Sequence, residues 1–347
     1  MGDQEAEWLS KKAGGSSPPP AIGSDGLTAF ALRLAKKLAE GDDTRGSNIA
    51  FSPLSLYTTL GLVAAGARNR TLDELLALLG AASPDKLAGF VRGLPADPSG
   101  SGGPVITYAY GVFHQKHMEL TPDFLHTATE SYNAEIRAVD FARRGQGGDQ
   151  EGDQPGVWET GFPKSHTEEH KFHRLDGADP VNVPFMTLPG TCELFVSYNE
   201  GFKVLLLPYK AGEDAMSRYS MCVFLPDEDN GLHAMLSTLE EVGGRPRAEA
   251  PKERLRKAFT EEAADLSGIV EKSVCDVRLD EVFHKAVIEV NEEGTVAAAC
   301  AAVISRKKKS AMRLEFIADH PFAFYIVQEV SGAVVFAGHV LDPSSSQ

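Results

Sequence analysis

Residues 283–305 constrain the fold of this chain more than any other stretch. Ala286, Ile288 and Val290 fall on one face and Val287 and Glu289 on the other, the period of two expected of a β-strand. The pattern breaks at Asn291-Glu-Glu-Gly294. Small, uncharged residues follow from Thr295 to Ala302, and then a basic tip, Arg306-Lys-Lys-Lys309. A run of alanine ordinarily favours helix. This run has neither long apolar side chains to anchor a helix nor the polar content of a linker. It is a strand in waiting, with nothing bulky or charged to stop it sliding between two existing strands.

This pattern closely resembles the hinge and reactive-centre loop of the serpins, and more narrowly of the plant serpins. Downstream, Phe316-Ile-Ala-Asp-His-Pro-Phe322 and Val334-Val-Phe-Ala-Gly-His-Val-Leu-Asp-Pro343 are similar to the family's C-terminal signature. Upstream, Ser47-Asn-Ile-Ala-Phe-Ser-Pro-Leu-Ser55 and Glu200-Gly-Phe-Lys-Val-Leu-Leu-Leu-Pro-Tyr209 also match serpin segments, in the family's order. The resemblance covers most of residues 25–343.

The resemblance implies an α+β fold with three β-sheets and about eight helices. It also assigns roles. Glu292, Glu293, Gly294, Thr295, Val296, Ala297, Ala298 and Ala299 become the hinge, and residues 294–318 the reactive loop. Counting from the hinge puts the scissile bond after Lys308, with Lys309 or Lys307 as one-residue slips. A lysine there suits a trypsin-like serine protease, whose specificity pocket carries a carboxylate; a cysteine protease is the second class. In the family's mechanism the protease forms an acyl-enzyme on the bait. The cut loop then enters the main sheet as a new strand, and the dragged protease is distorted before it can deacylate. Ser52, Ser55 and His284 match the polar shutter beneath that sheet. Read without the family, Ser52 and Ser55 are helix-capping residues, and Arg306–Lys309 is a solvated cluster or a nuclear-localisation patch.

The receiving sheet is expected to be incomplete. Residues 142–156 are rich in Gly, Gln and Asp and cannot bury enough surface to offset ordering. Serpins carry there a helix across the main sheet and most of its third strand. Residues 243–251, rich in Gly, Arg, Ala and Pro, stand where the sheet's sixth strand belongs. With no defined slot, trapping is expected to be weak or absent. The alternative is a non-inhibitory serpin relative, a binding protein or the product of a decayed gene.

Residues 1–24 read as a disordered extension without a signal-type apolar core, 25–343 as one serpin domain and 344–347 as a tail. A cytoplasmic or nucleocytoplasmic monomer is expected, with reduced cysteines and no membrane span. A net charge of −15 argues against nucleic acid as a partner. No catalytic set emerges, so no enzymatic activity and no cofactor are expected. His166 and His170 lie four apart, a spacing that can bind zinc on a helix, but the flanking Pro163 and Phe172 frame a surface loop, and no metal site is assigned. Asp227-Glu-Asp-Asn-Gly231 reads as a turn rather than a calcium loop.

Local signals place the other elements. Leu27, Phe30, Leu34 and Leu38 make a helical stripe; Ser52-Pro53 and Thr121-Pro122 open helices; Thr71-Leu-Asp-Glu74 reads as a capping box. Lys203–Pro208 and Tyr219–Leu225 are strong strands, and a hairpin turns about Ser331-Gly332.

Overall fold

The apolar stripe of residues 27–38 forms helix α1 (Gly26–Ala39), burying Leu27 and Phe30. A short strand, β1 (Ile49–Phe51), leads into α2 (Pro53–Gly66). Ser52 caps α2, its Oγ accepting the Ser55 N–H at 3.2 Å, and Pro53 takes the first helical position, where no donor is needed. This helix is apolar on nearly every side and mostly buried, as a helix within a core must be. The computed structural model describes residues 26–41, 46–93, 111–115, 118–139, 156–188, 195–211, 218–243, 265–271, 290–295, 302–306 and 315–345. Within them lie four further α-helices: α3 (Asn69–Leu79), α4 (Pro84–Arg92), α5 (Pro122–Tyr132) and α6 (Leu232–Gly243). No described helix is long and apolar enough to cross a membrane.

One sequence expectation is corrected here. Thr71 does not cap α3, which opens at Asn69 after Arg68, with no side-chain cap. The Thr71 hydroxyl is buried and accepts the backbone N–H of Asp265 at 2.8 Å, so a tertiary contact has taken the group that a capping box would use. Thr121 does cap α5, accepting the Phe124 N–H at 3.3 Å, while its hydroxyl donates to the Gly268 carbonyl at 2.7 Å.

The largest sheet has six antiparallel strands. Its order is β1, β14 (Val334–Val340), β13 (Phe322–Gln328), β9 (Tyr219–Pro226), β8 (Phe202–Pro208) and β7 (Phe195–Asn199). Strands β9 and β13 are buried at every residue, which is why they read as nearly continuous apolar runs, with Ser220 and Gln328 the polar exceptions. The period of two still sorts their side chains. Met221, Val223, Phe324 and Ile326 face the core built on α2, whereas Cys222, Phe224, Tyr325 and Val327 face α1 and α6. Each such side chain contributes about 1.5–3 kcal/mol by leaving water. An ion pair from Lys36 to Glu240, at 2.8 Å, joins α1 to α6.

The second sheet has four strands, in the order β12 (Glu315–Ile317), β11 (Ala302–Arg306), β6 (Val181–Leu188) and β5 (Glu168–Phe172). A 3-10 turn at Leu175–Gly177 separates β5 from β6. Two small pairs complete the described architecture. Strand β2 (Gly111–Gln115) runs parallel to β3 (Glu135–Val139), and β10 (Gly294–Thr295) runs antiparallel to β4 (Gly156–Val157). Nearly all of residues 142–156 and 243–251, on which the expectation of an incomplete central sheet rests, lie outside the described residues.

Candidate functional site

Asn291 reverses the chain at the segment read from sequence as the hinge. Its N–H donates to the Gly294 carbonyl at 2.8 Å, and its Oδ1 accepts the N–H groups of Glu293 and Gly294 at 2.9 and 3.0 Å. An asparagine whose side chain mimics a backbone acceptor is a ready turn former. The reversal lays Gly294 opposite Val157 and Thr295 opposite Gly156, so these two residues form a short strand beside β4. The approach is so close that a Cβ on Gly294 would lie 1.6 Å from the Gly156 carbonyl oxygen. Only glycine fits there.

Trp158 anchors this turn. Its indole Nε1–H donates to the Asn291 carbonyl at 2.9 Å, and its backbone N–H to the Glu293 carbonyl at 2.9 Å. The ring is buried and stacks on Tyr209, with centroids 4.6 Å apart and planes 25° from parallel. Backbone bonds from Glu159 to Pro208 and from Lys210 to Val157 fix the segment to the end of β8. Phe162 adds an N–H to the Glu292 carbonyl at 2.8 Å, and the Thr167 hydroxyl donates to Glu292 Oε1 at 2.8 Å. Lys164 Nζ lies 2.8 Å from Glu293 Oε1. That hydrogen bond, with the lysine's charge, holds the Glu293 carboxyl below its usual range, and the same bond, with the carboxylate's charge, lifts Lys164 above its own. Both side chains are fully exposed, so water screens the pair and it holds the turn weakly.

Of the hinge residues read from sequence, Glu292, Glu293, Gly294 and Thr295 thus meet in one docked turn. Val296, Ala297, Ala298 and Ala299 lie outside the described residues, as do the reactive-bond residues Lys308 and Lys309 and the shutter residue His284. Ser52 is buried; besides capping α2, its Oγ donates to the Val335 carbonyl at 2.7 Å and ties the helix to β14. Half-buried Ser55 supplies the capped N–H and accepts the Thr59 hydroxyl at 2.9 Å.

Sequence reasoning passed over Trp158, Thr167, Lys164 and Asn291. A signal existed for two of them. Asn291 stands three residues before a glycine, and Trp158 is where a regular pattern resumes after a low-hydrophobicity stretch. The histidine pair does not share a helix: His166 ends a 3-10 turn and His170 sits in β5, edge-on to Phe185 at 5.4 Å. Among the described residues no cluster suited to a metal occurs. Asp227–Gly231 is a turn, closed by the Gly231 N–H on the Glu228 carbonyl at 2.8 Å. Burial pushes the Cys222 thiol up to about 12, which leaves it inert.

Comparison with known proteins places this arrangement. The model of the family described as "Serpin (serine protease inhibitor)" matches residues 25–151, 155–248 and 251–343. Serpin-Z2A of Oryza sativa subsp. japonica is 38% identical over 92% of this chain and 97% of its own length. Serpin-Z7 of Hordeum vulgare is 30% identical over 92% of this chain and 96% of its own; that alignment runs to 385 positions, more than the 347 residues present here. The relative therefore carries residues that this chain lacks. The structure of Arabidopsis AtSerpin1 in its native stressed conformation superposes with a TM-score of 0.76 at 29% identity, covering 93% of this chain and 98% of that one. A family model that spans nearly all of residues 25–343, and a relative 38% identical over 92% of the chain, decide the matter: the chain belongs to the serpin family.

Proposed function

We propose that this serpin presents a lysine bait, Lys308 with Lys309 beside it, to a trypsin-like serine protease, and that suicide-substrate trapping is weak or lost. The observation that carries the reading is where the family match is interrupted. Its breaks, at 151/155 and 248/251, fall in the two stretches whose composition cannot supply strands. Those stretches stand where the family keeps its third and sixth main-sheet strands. A hinge that is competent to turn, as Asn291–Thr295 is, then has too little sheet to enter. We place the protein in the cytoplasm or nucleocytoplasm as a monomer, a setting that the free thiol of Cys222 fits.

The test is incubation with trypsin followed by a denaturing gel. Clean cleavage after Lys308 without a stable higher-mass band is expected; a covalent complex that survives denaturation sinks the proposal. The second reading is a non-inhibitory relative whose loop is no bait at all, favoured by the same breaks. Thermal unfolding before and after loop cleavage separates it from an active inhibitor. A marked gain in stability on cutting means insertion and an inhibitor, and no gain supports the non-inhibitory reading.

A further inference from the structure

The turn that leads into α6 carries a reactive dipeptide. Of the chain's asparagines, Asn230 alone is followed by glycine. Packing demands that glycine. A Cβ on Gly231 would lie 2.8 Å from the Pro226 Cβ and 2.9 Å from the Glu228 carbonyl oxygen, so no larger residue closes the turn. The same lack of a side chain leaves the Gly231 nitrogen sterically open to the carboxamide carbon of Asn230, an exposed residue. The turn holds that nitrogen back. Its N–H donates to the Glu228 carbonyl at 2.8 Å, and the Gly231 carbonyl accepts the Met235 N–H at 2.9 Å at the start of α6. Leu232, the next residue, is wholly buried. The turn is also fixed from outside, by the Asp227 N–H on the Gly201 carbonyl at 2.9 Å.

We propose that Asn230 is a site of spontaneous deamidation, gated by opening of the Asp227–Gly231 turn. The Gly231 nitrogen gives its proton to solvent and attacks Asn230 Cγ. The N–Cγ bond forms, the Cγ–Nδ2 bond breaks, and Nδ2 leaves as ammonia after taking a proton from water. Water then adds to either carbonyl of the cyclic imide and breaks one of its C–N bonds. Nothing is oxidised or reduced. Opening at Cγ gives aspartate. Opening at the main-chain carbonyl gives isoaspartate, whose backbone runs through the side chain and is longer by one carbon. Either product adds one negative charge to the net −15. Aspartate keeps the turn and stands before the N-terminus of α6, where a carboxylate is favoured. Isoaspartate does not keep it. With Pro226 and Glu228 packed against Gly231 and Leu232 buried behind it, the extra carbon has no room, and the Gly231–Met235 bond opens. The chemistry needs no protease and proceeds with the bait loop cut or intact.

The test is incubation of the full chain at mildly alkaline pH, with samples taken over time for peptide mapping by mass spectrometry. Asn230 should convert ahead of every other asparagine among the described residues. It should convert about fivefold to a hundredfold more slowly than in the chain held unfolded in urea, because the turn must open first. An isoaspartyl methyltransferase with S-adenosylmethionine should label the peptide that carries residue 230 in aged wild type and leave it unlabelled in Asn230→Gln. Hydrogen exchange gives the structural consequence. The Met235 amide should lose protection in proportion to the isoaspartyl content of the aged protein, whereas freshly made Asn230→Asp should keep it. Equal rates in the folded and unfolded chains, folded-state conversion slower than that range, earlier conversion of another asparagine, or Asn230→Asp losing protection as the aged protein does overturns the proposal.

Discussion

Replacing Trp158 by Phe asks whether the indole holds the hinge. Phenylalanine keeps an aromatic face for Tyr209, now 4.6 Å from the indole, but loses the Nε1–H that reaches the Asn291 carbonyl at 2.9 Å. A hydrogen bond of this kind is worth about 1 kcal/mol net, which makes local opening of the Asn291–Thr295 turn about fivefold more frequent. The other ties remain, namely the residue-158 and Phe162 amides on the Glu293 and Glu292 carbonyls and Thr167 on Glu292. Hydrogen exchange by mass spectrometry over 156–162 and 291–295 reads the change directly, since those amides are released only when the turn leaves β4. Thr167→Val should act in the same direction and by a similar factor. Lys164→Met should change nothing measurable, because its pair with Glu293 is fully exposed. Unchanged exchange in Trp158→Phe, or a larger effect from Lys164→Met, refutes the reasoning.

Other substitutions follow from the same geometry. Gly294→Ala should detach β10 from β4, because the new Cβ would sit 1.6 Å from a backbone oxygen that cannot give way cheaply; loss of protection at the Trp158 and Phe162 amides reports it, and retained protection refutes it. Ser52→Ala removes both the cap of α2 and the bond to Val335, so chemical unfolding should show a loss of about 2 kcal/mol; a loss below half of that denies the hydroxyl its double role. Burial holds His339 down at about 4, below the ordinary histidine value of 6.5, although its Nε2 reaches the Ser47 carbonyl at 3.2 Å; the nearby His233 adds a push downward. The unfolded chain takes up a proton first, so this contribution is complete above the ordinary histidine value and fades as pH falls towards 4. Between pH 7.5 and 5 the loss should be about 2 kcal/mol. His320 opposes it: burial lowers its pKa, but bonds to Asp319 and the Pro226 carbonyl prevail and raise it, so its stabilisation is lost as pH rises. The measurement is therefore the pH slope of the stability difference between wild type and His339→Leu, and a flat difference counts against buried, neutral His339.

Much of the scaffold was legible because it rests on local signals. Tyr219–Pro226 and Phe322–Gln328 are apolar at all but one residue each since sheet and helices bury both faces, and Ser52-Pro53 and Thr121-Pro122 satisfy helix termini within a few residues. What failed did so for lack of a distant partner. Thr71 has the spacing of a cap, but its hydroxyl belongs to Asp265, and Trp158 looks like an ordinary aromatic until Asn291 arrives beneath its indole. Strand character was legible as far as Ile304, whereas its continuation through Arg306, read as part of the basic tip, and the sheet it joins were not. Alternation and small side chains say that a segment can pair, whereas the identity of the neighbour is set by long-range topology.

The two anchors of the loop bear on trapping independently of any missing strand. Thr295 is held against Gly156 and Ala302 against Phe185, so residues 296–301 join two sheets and can reach at most roughly 25 Å. Lengthening the strand begun at β10 therefore has at most these six residues to draw on. After that, every further pair formed beside β4 must be matched by one surrendered from β6 and β12. Main-chain pairs are of similar worth in either sheet, about 1 kcal/mol each, so the exchange supplies little net drive, while breaking a doubly paired strand slows it. Trapping is a race between insertion and deacylation. A loop that must strip a formed strand before inserting runs late, and the acyl-enzyme is then expected to hydrolyse, releasing an active protease and a cut loop.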